Sequence, residues 1–245
     1  MKILFLDIET APNLVWVWQL WQQNVAPTQV KIGTSILSWA AKWHKNNSIM
    51  YDSVHDSSLD KMLKGIHKLL DEADVVVHYY GSKFDIPMLN REFLRLGLRP
   101  PSTYKQVDLK KVIAEKFRFP SNKLEYVSKE LKLGEKIKTD FDLWKDCMAG
   151  NQAAWDKMES YNKHDVRLLE RAYDKVLPWI GNHPNHSVYA DAPVCTNCGK
   201  SDFKKNGFYY TGAKKYQRYE CHDCGAPFRD SKAIKSKSQF RSLSA

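Results

Sequence analysis

Blocks of apolar and polar positions alternate along the first part of the chain, and each block predicts one element. Residues 2–8 read KILFLDI, a nearly continuous apolar run that is typical of a strand inside a sheet. Residues 32–40 and 48–54 predict two more strands, which we expect to pair antiparallel. Residues 75–80 read VVVHYY and predict another buried strand.

Helical spacing separates and follows these strands. Apolar residues recur at helical intervals over 59–70, and Pro87 marks the first turn of a helix over 86–96. We further predict short helices over 107–117 and 124–131, a loop over 134–144 and a long helix over 152–180. Strands that come first and then alternate with helices predict a mixed α/β sheet with helices on its faces.

The last quarter of the chain has a different organisation. Residues 181–191 are polar, contain Gly and Pro and lack periodicity, so we interpret them as a linker after a domain of residues 1–180. Residues 192–230 contain two Cys-x-x-Cys pairs and form a candidate small domain. Residues 231–245 are basic and rich in Ser, which predicts a disordered tail.

Composition and charge narrow the function. With 43% hydrophobic and 27% charged residues the chain is an ordinary globular protein. The formal net charge is +10, and residues 191–245 hold 11 Lys or Arg against 5 Asp or Glu. A basic surplus concentrated at one end favours a polyanionic partner, most simply nucleic acid, although surplus Lys can also serve solubility alone.

The sequence predicts a cytoplasmic protein without a membrane partner. Residues 11–30 are uncharged, but Gln, Asn and two Pro residues interrupt them, which excludes a membrane span. The apolar run after Lys2 is too short for a signal peptide. In a reducing cytosol paired cysteines bind metal more often than they form disulfides.

Three separate segments carry candidate metal ligands. Asp7 and Glu9 lie two residues apart on the first strand, so their side chains point to the same face, where a cation would offset the cost of burying them. Alternatively the strand ends at Asp7 and both are solvated. Asp85 precedes a helix, where it could also be an N-cap. Asp165 lies in the long helix on the same face as Tyr161, where it could also be an ordinary surface residue.

The segments FLDIET, HYYGSKFD and YNKHD resemble, in order and spacing, the three motifs of DEDD 3′–5′ exonucleases. These belong to the ribonuclease H-like superfamily, as do polymerase proofreading domains. Tyr161, four residues before Asp165, is similar to the Tyr of the Tyr-containing branch. VVVHYYGSKFDIPML and KLEYVSKELKL are most similar to YprB-type and B-family proofreading exonucleases. The resemblance covers about residues 1–178, and Tyr80 stands where the second motif usually has Asn.

The resemblance implies a ribonuclease H-like fold and a 3′–5′ exonuclease. The catalytic residues that it implies are Asp7, Glu9, Asp85, Tyr161 and Asp165. The four acids would hold two Mg²⁺ or Mn²⁺ ions, which prefer hard oxygen ligands, and Tyr161 would orient the attacking water. Asp108 resembles an acid common between the second and third motifs and is expected to support the site without binding metal; neither Asp140 nor Asp142 is expected to bind metal.

The implied substrate is a nucleic acid with a free 3′ end, from which nucleoside monophosphates would be released; single-stranded DNA is favoured over RNA. Two alternatives stay open. The chain could be a non-catalytic nucleic-acid-binding protein on a nuclease scaffold, or an endonuclease on the same fold. A phage or mobile-element origin, with action in the host cytoplasm, would suit the C-terminal segment.

Cys195, Cys198, Cys221 and Cys224 have the spacing of two knuckles around one structural Zn²⁺. Four thiolates leave no open position on the metal, so this zinc would not be catalytic. The segment around them resembles the zinc ribbons of transposases and some DNA-binding proteins. Cys147 stands alone and is interpreted as a packing residue.

Basic and aromatic residues interleave within this segment, which favours contacts to phosphates and unpaired bases. The candidate nucleic-acid contacts are Lys204, Lys205, Lys214, Lys215, Arg218, Tyr210 and Tyr216. Alternatively the aromatics form the small core, or the ribbon binds a partner protein. After the first motif, Trp16, Trp18, Leu20 and Trp21 could stack on a strand end, but we expect them to form a satellite core.

Overall fold

In a computed structural model that describes residues 1–235, the chain divides into two compact units. One comprises residues 2–173 and the other begins at Asp174. The predicted disordered tail lies mostly outside the described residues, which end at 235. No helix within residues 1–235 is both long enough and apolar enough to cross a bilayer.

Five strands come first in the first unit and helices follow with two further strands between them, whereas strands dominate the second unit. The strands are β1 (Ile3–Thr10), β2 (Leu14–Val15), β3 (Val30–Ile32), β4 (Ile36–Trp43), β5 (Met50–Ser53), β6 (Val75–His78), β7 (Lys105–Asp108), β8 (Phe203–Tyr210), β9 (Lys215–Cys221) and β10 (Pro227–Arg229). The helices are α1 (Leu59–Glu72), α2 (Asp85–Arg95), α3 (Leu109–Lys116), α4 (Leu124–Glu130), α5 (Phe141–Met148) and α6 (Gln152–Val176).

The first unit contains a five-stranded mixed sheet in the order β5-β4-β1-β6-β7. β4 runs antiparallel to both β1 and β5, whereas β6 runs parallel to β1 and β7. β1 therefore lies at the centre of the sheet, with the antiparallel pair β4 and β5 on one side and the parallel pair β6 and β7 on the other. The predicted mixed α/β sheet with flanking helices is confirmed.

Alternation along β1 separates a packing face from the candidate site. Leu4, Leu6 and Ile8 are buried in a cluster with apolar residues of α1 and α2. Burying such side chains stabilises the fold by about 1.5–3 kcal/mol each. On the opposite face Phe5 packs edge-to-face against Tyr173 of α6, with ring centroids 5.3 Å apart. The same alternation places Asp7 on the α6 side.

Three predicted features are wrong in detail. Residues 105–108 form a strand on the edge of β6, where a helix beginning at 107 was expected. The predicted loop over 134–144 contains the start of α5, because the Asp140 side chain accepts the Leu143 amide and caps the helix. The tryptophans do not form a satellite core: Trp16, Trp18 and Trp21 are 67%, 98% and 80% exposed.

The second unit is built around an antiparallel sheet in the order β10-β9-β8. Its aromatic core is Phe203, Tyr219 and Phe228, whose ring centroids lie 5.1–5.5 Å apart. Residues of the predicted linker include a short 3-10 helix, His186–Tyr189, whose first amide donates to the Thr196 carbonyl.

Candidate functional sites

The fold of the first unit brings together three of the four predicted acidic ligands. Asp7, Glu9 and Asp165 each offer a carboxylate oxygen within 4.8 Å of the others. Asp7 and Glu9 come from β1 and Asp165 from α6, which crosses the same face of the sheet. Residues separated by more than 150 positions in the sequence thus share one small site.

A chain of hydrogen bonds between α6 and the sheet orients the Asp7 carboxylate. Asn162 of α6 donates from Nδ2 to Asp7 Oδ2 at 2.7 Å, and its Oδ1 accepts from Ser38 Oγ of β4 at 3.0 Å. Asn162 precedes Asp165 by three residues and therefore lies on the same helical face. This chain of hydrogen bonds orients α6 against the sheet and sets the Asp7 carboxylate.

Asp85 lies at the edge of the cluster. Within residues 1–235, the set of acids whose carboxylate oxygens lie within 4.8 Å of one another does not include Asp85. Its Oδ1 accepts the Ile8 amide of β1 at 3.2 Å, and the residue is 6% exposed. Asp85 also begins α2, as expected for an acid in a first turn. The hydrogen bond places the side chain beside Asp7 and Glu9 along β1.

The acids are held in an environment that disfavours their charged forms. Burial, followed by repulsion from Asp165, raises the pKa of Glu9 to about 8. Burial raises the pKa of Asp85 to about 6, against an opposing hydrogen bond from Ile8. The pKa of Asp7 is raised well above its usual value by burial and by repulsion from Asp165. A cation would remove this strain.

Lys136 supplies a positive charge that the sequence pattern did not reveal. Its Nζ lies 2.8 Å from Asp165 Oδ2 and donates to the Tyr161 hydroxyl at 2.7 Å. Burial alone would lower the Lys136 pKa, but attraction to Asp165 and Tyr161 outweighs it, so the net shift is upward. Nothing distinguishes this lysine from its neighbours in a Lys-rich loop sequence.

Tyr161 is almost completely buried, and its hydroxyl points toward the acids. Its ring packs edge-to-face on Trp144 with centroids 5.9 Å apart. Burial and repulsion from Asp165 raise the pKa of the phenol. The hydroxyl therefore stays protonated at neutral pH and can donate a hydrogen bond.

A cavity of about 320 Å³ opens onto the cluster. Its lining includes Asp7, Asp165 and Lys136 on one side and Tyr80, Lys110 and Lys123 on the other. Glu125 also lines the cavity, so three lysines and three acids surround it, and the lysines could contact an anionic group near a bound cation. The volume is at the small end of ligand pockets.

Tyr80 borders this cavity in a strained conformation. Its φ of 70° lies in the left-handed region, which a bulky side chain rarely adopts. Asp108 accepts the Tyr80 amide at 2.9 Å and the Ser82 hydroxyl at 2.7 Å, which holds the turn. A Cβ at the next residue, Gly81, would lie 2.6 Å from His78. Lys110 Nζ lies 3.8 Å above the Tyr80 ring.

The carboxylate cluster fits divalent metal. Besides the raised pKa values, Asp165 Oδ1 is buried and lacks a hydrogen-bond partner within the described part of the chain. An oxygen of this kind is costly unless it binds something. Carboxylate oxygens are the ligands that Mg²⁺ and Mn²⁺ prefer. Asp7, Glu9 and Asp165 are therefore compatible with a metal site.

Four cysteines form a second group of converging ligand atoms. The Sγ atoms of Cys195, Cys198, Cys221 and Cys224 lie within 4.8 Å of one another. Cys195 and Cys224 are 3.7 Å apart at Sγ, and Cys198 and Cys221 are 3.6 Å apart. Thiolates on a tetrahedral Zn²⁺ with bonds of ~2.3 Å are separated by ~3.8 Å. This geometry is compatible with zinc.

Glycines close both cysteine turns. Gly199 and Gly225 have φ of 74° and 76°, and their amides donate to the carbonyls of Cys195 and Cys221. Glycine adopts these angles without steric cost. Asn197, inside the first turn, donates to the carbonyls of Leu177 and Ile180 and so anchors the turn within its unit.

The candidate nucleic-acid contacts of the second unit differ in accessibility. Tyr210 is exposed, and Lys215 Nζ lies 3.6 Å above the neighbouring Phe208 ring. Tyr216 stacks under Arg229 at 4.0 Å, an arginine absent from the predicted set. Arg218 donates to the Asn206 carbonyl at 2.6 Å. Lys204 lies 3.8 Å from Glu220, and Lys205 and Lys214 are exposed.

Cys147 is buried with Leu143 and Trp155, which confirms its interpretation as a packing residue. Asp142 pairs with Lys145 on the exposed surface of α5, at a distance of 2.6 Å. Neither Cys147 nor Asp142 belongs to the two groups of metal-ligand side chains found in residues 1–235.

Comparisons with known proteins agree with this architecture. The family model for the ribonuclease H superfamily matches residues 4–177. A family B DNA polymerase from the hyperthermophilic archaeon Pyrobaculum calidifontis has a similar fold, with a TM-score of 0.53 and 17% identity. That match covers 72% of this chain and 24% of the polymerase.

Trypanosoma brucei RNase D is also similar, with a TM-score of 0.46 and 19% identity over 78% of this chain and 59% of that protein. The chain thus spans about a quarter of the polymerase and under two thirds of RNase D. No curated protein has a significantly similar sequence.

Proposed function

Because the chain belongs to the ribonuclease H superfamily, we propose that it is a metal-dependent 3′–5′ exonuclease of the DEDD type, in the Tyr-containing branch. The observation that carries the proposal is the convergence of Asp7, Glu9 and Asp165 within 4.8 Å, beside a cavity that three lysines help to line. The order of the three motifs and the polymerase-like fold also support it.

In the proposed site, Asp7, Glu9 and Asp165 would hold the metal, and Asp85 would contribute from the edge of the cluster. Divalent cations, when bound there, would neutralise charge on the phosphoryl group and activate water. Asn162 keeps the Asp7 carboxylate oriented by its 2.7 Å hydrogen bond. The metal ligands are thereby held in place before substrate binds.

Tyr161 and Lys136, which contact each other beside Asp165, would act on the reacting groups. The protonated Tyr161 hydroxyl can orient the attacking water, because its raised pKa makes it a poor base. Lys136 already donates to that hydroxyl and can stabilise negative charge on the phosphate. Water would then bond to phosphorus as the bond from phosphorus to the 3′ oxygen of the preceding nucleotide breaks. The water gives up a proton to solvent, the 3′ oxygen takes one from solvent, and a nucleoside monophosphate is released.

The size of the cavity favours attack at a strand end. A volume of about 320 Å³ suits a single nucleotide better than a duplex. Single-stranded DNA is the proposed substrate.

Digestion of 5′-labelled single-stranded DNA and RNA with Mg²⁺ or Mn²⁺ tests the proposal. We expect a ladder that shortens from the 3′ end, faster on DNA, and no cleavage of circular single strands. Cleavage of circles would instead identify an endonuclease, and no digestion under any metal would contradict the proposal. Thin-layer analysis should identify nucleoside monophosphates as the product.

For the second unit we propose a zinc ribbon that assists nucleic-acid binding. The four cysteines would hold one structural Zn²⁺, and the exposed Lys204, Lys205 and Lys214 would contact phosphates. Tyr210, with its largely exposed ring, would stack on an unpaired base. Lys215, Arg218 and Tyr216 would support this surface through the contacts described above.

Replacement of Lys204, Lys205 and Lys214 by Gln in the full chain tests the ribbon. Each lost phosphate contact should reduce the slope of log affinity against log salt by about 0.7 for a single strand. An unchanged slope would contradict nucleic-acid binding and favour a protein partner.

A further inference from the structure

Residues 11–35, here called the tryptophan loop, carry an exposed aromatic surface that the proposed catalytic site does not use. Trp16, Trp18 and Trp21 are largely exposed, and so are Leu14 and Leu20. Exposed apolar patches of this kind usually mark interaction sites. From its placement and chemistry we infer that the tryptophan loop binds unpaired bases of a single-stranded nucleic acid.

The loop has an ordered base. β2 pairs antiparallel with β3, the Trp16 amide donates to the Gln29 carbonyl at 2.8 Å, and Gln29 Nε2 donates back to the Trp16 carbonyl at 3.0 Å. The Gln29 side chain also accepts the Ala26 amide at 2.8 Å. The rings beyond this base are therefore presented on a fixed hairpin.

That base is attached to the elements that carry the acids. The Ala11 amide, two residues after Glu9, donates to the Ser35 carbonyl at 2.8 Å. Arg91 of α2 donates to the Thr34 carbonyl at 2.7 Å, and Asp85 begins the same helix. The aromatic surface is thus continuous with the strand and helix of the carboxylate cluster, and a chain bound at the cluster can extend onto it.

The composition of the tryptophan loop favours nucleic-acid bases over lipid as its ligand. Residues 11–35 contain no acid and one charged residue, Lys31, whose Nζ lies 5.1 Å from the Trp16 ring centroid. Four amide side chains, Gln19, Gln22, Gln23 and Asn24, stand among the tryptophans. Aromatic rings stack on bases and amides hydrogen-bond their edges. A surface that inserts into lipid would not carry four amides at its tip.

The choice of nucleic acid as occupant rests on the proposed function, but its test does not need catalysis. Fluorescence anisotropy of the zinc-loaded full chain, with no Mg²⁺ or Mn²⁺ added, measures its Kd for a labelled 20-nucleotide thymidine strand. An abasic strand of equal length has the same phosphates and no rings to stack.

Trp18→Ala with Trp21→Ala should weaken binding to the thymidine strand by at least about tenfold, since stacking contributes roughly 1–3 kcal/mol per base. Binding to the abasic strand should change less than about twofold. Phe at both positions should restore most of the affinity, whereas Leu, which keeps apolar area without an aromatic face, should not. Leu94→Ala, which removes an exposed apolar side chain from α2, is the matched control and should bind like wild type.

Unchanged binding by the Ala variant would overturn the inference, as would full rescue by Leu or equal losses on both strands. Trp-dependent sedimentation with phosphatidylcholine–phosphatidylserine vesicles, with nucleic-acid binding unaltered, would overturn it in favour of a membrane. If the wild-type protein digests single strands but the Trp variants bind them normally, this inference is overturned and the proposed exonuclease is not. Trp-dependent binding without digestion would overturn the exonuclease alone.

Discussion

The carboxylate cluster and the cysteine cluster both bring potential metal ligands close together, but different parts of the fold hold them in place. The cysteines come from two short turns of one small unit, and little besides Ala226 and Phe228 packs around them. The acids come from β1, the central strand of a well-packed sheet, and from α6, which crosses one face of that sheet, and the Asn162–Asp7 hydrogen bond joins the two elements. The difference teaches that a large core can hold ligands together against their repulsion, whereas a small one needs the metal to do so.

The largest effect is expected when the proposed zinc is removed from the cysteines. Cys221→Ser should abolish zinc binding and unfold residues 195–229, because binding of structural zinc contributes about 10 kcal/mol or more to folding. Zinc content and hydrogen exchange measure both effects. Residues 2–173 should keep their protection.

Cys147→Ser is the matched control and should retain one zinc per chain, since Cys147 lies outside the cluster. A ribbon that stays protected in Cys221→Ser would show that its folding does not depend on metal.

Removing a carboxylate should leave the fold intact and abolish the activity. Asp7→Asn should lower the digestion rate by more than about a hundredfold, because even residues that only support metal ligands contribute 10–100-fold. The rate of release of the 3′ nucleotide measures it. Asp142→Asn, on an exposed acid, should digest normally, and equal rates for the two variants would contradict the metal assignment.

A smaller loss is expected from the groups that face the reacting atoms. Tyr161→Phe removes the hydroxyl that we propose orients water and should lower kcat by about 10–100-fold, with KM nearly unchanged. Lys136→Met should lower kcat to a similar extent. An effect on KM alone would indicate substrate binding instead.

The acids should also make the metal-free protein sensitive to pH. The folded-state pKa of Glu9, about 8, lies above its unfolded value of ~4.3. Between these values the folded state holds more protons, so the free energy of unfolding should fall as pH rises from about 4.5 to 8. Denaturant titrations of the zinc-loaded protein, with no Mg²⁺ or Mn²⁺ added, measure this slope.

Mg²⁺ should restore stability at pH 8, where it replaces the lost protons. Glu9→Gln should flatten the slope and stabilise the metal-free protein at pH 8. A stability that rises over this range would show that the acids do not repel one another in the folded chain.

The smallest effect is expected at Tyr80, which lines the cavity beside the carboxylate cluster. Tyr80→Asn should raise the free energy of unfolding by about 0.5–1 kcal/mol, because Asn tolerates the left-handed backbone and only a cation–π contact with Lys110 is lost. Tyr80→Phe keeps the strain and should match wild type. Thermal unfolding of the three proteins separates these cases, and an Asn variant less stable than Tyr80→Phe would contradict the strain.

The sequence predicted what local patterns encode. The apolar run over residues 2–8 identifies the central strand, and the spacing of Tyr161 and Asp165 puts both on one helical face. Patterns could not place Lys136, because its role depends on where a loop returns to α6. They also missed β7, whose edge position comes from pairing with β6 and not from its own residues. The tryptophans were assigned to a core from hydrophobicity alone, which does not distinguish packing from recognition.

The hydrogen bond from Asn162 to Asp7 makes the stretch between Asn162 and Asp165 intolerant of changes in length. One inserted residue would turn everything after it by about 100° around the axis of α6. Asn162 would then still meet Asp7, but Asp165 would leave its partners. Insertions or deletions between these two residues should therefore be far more damaging than most single replacements.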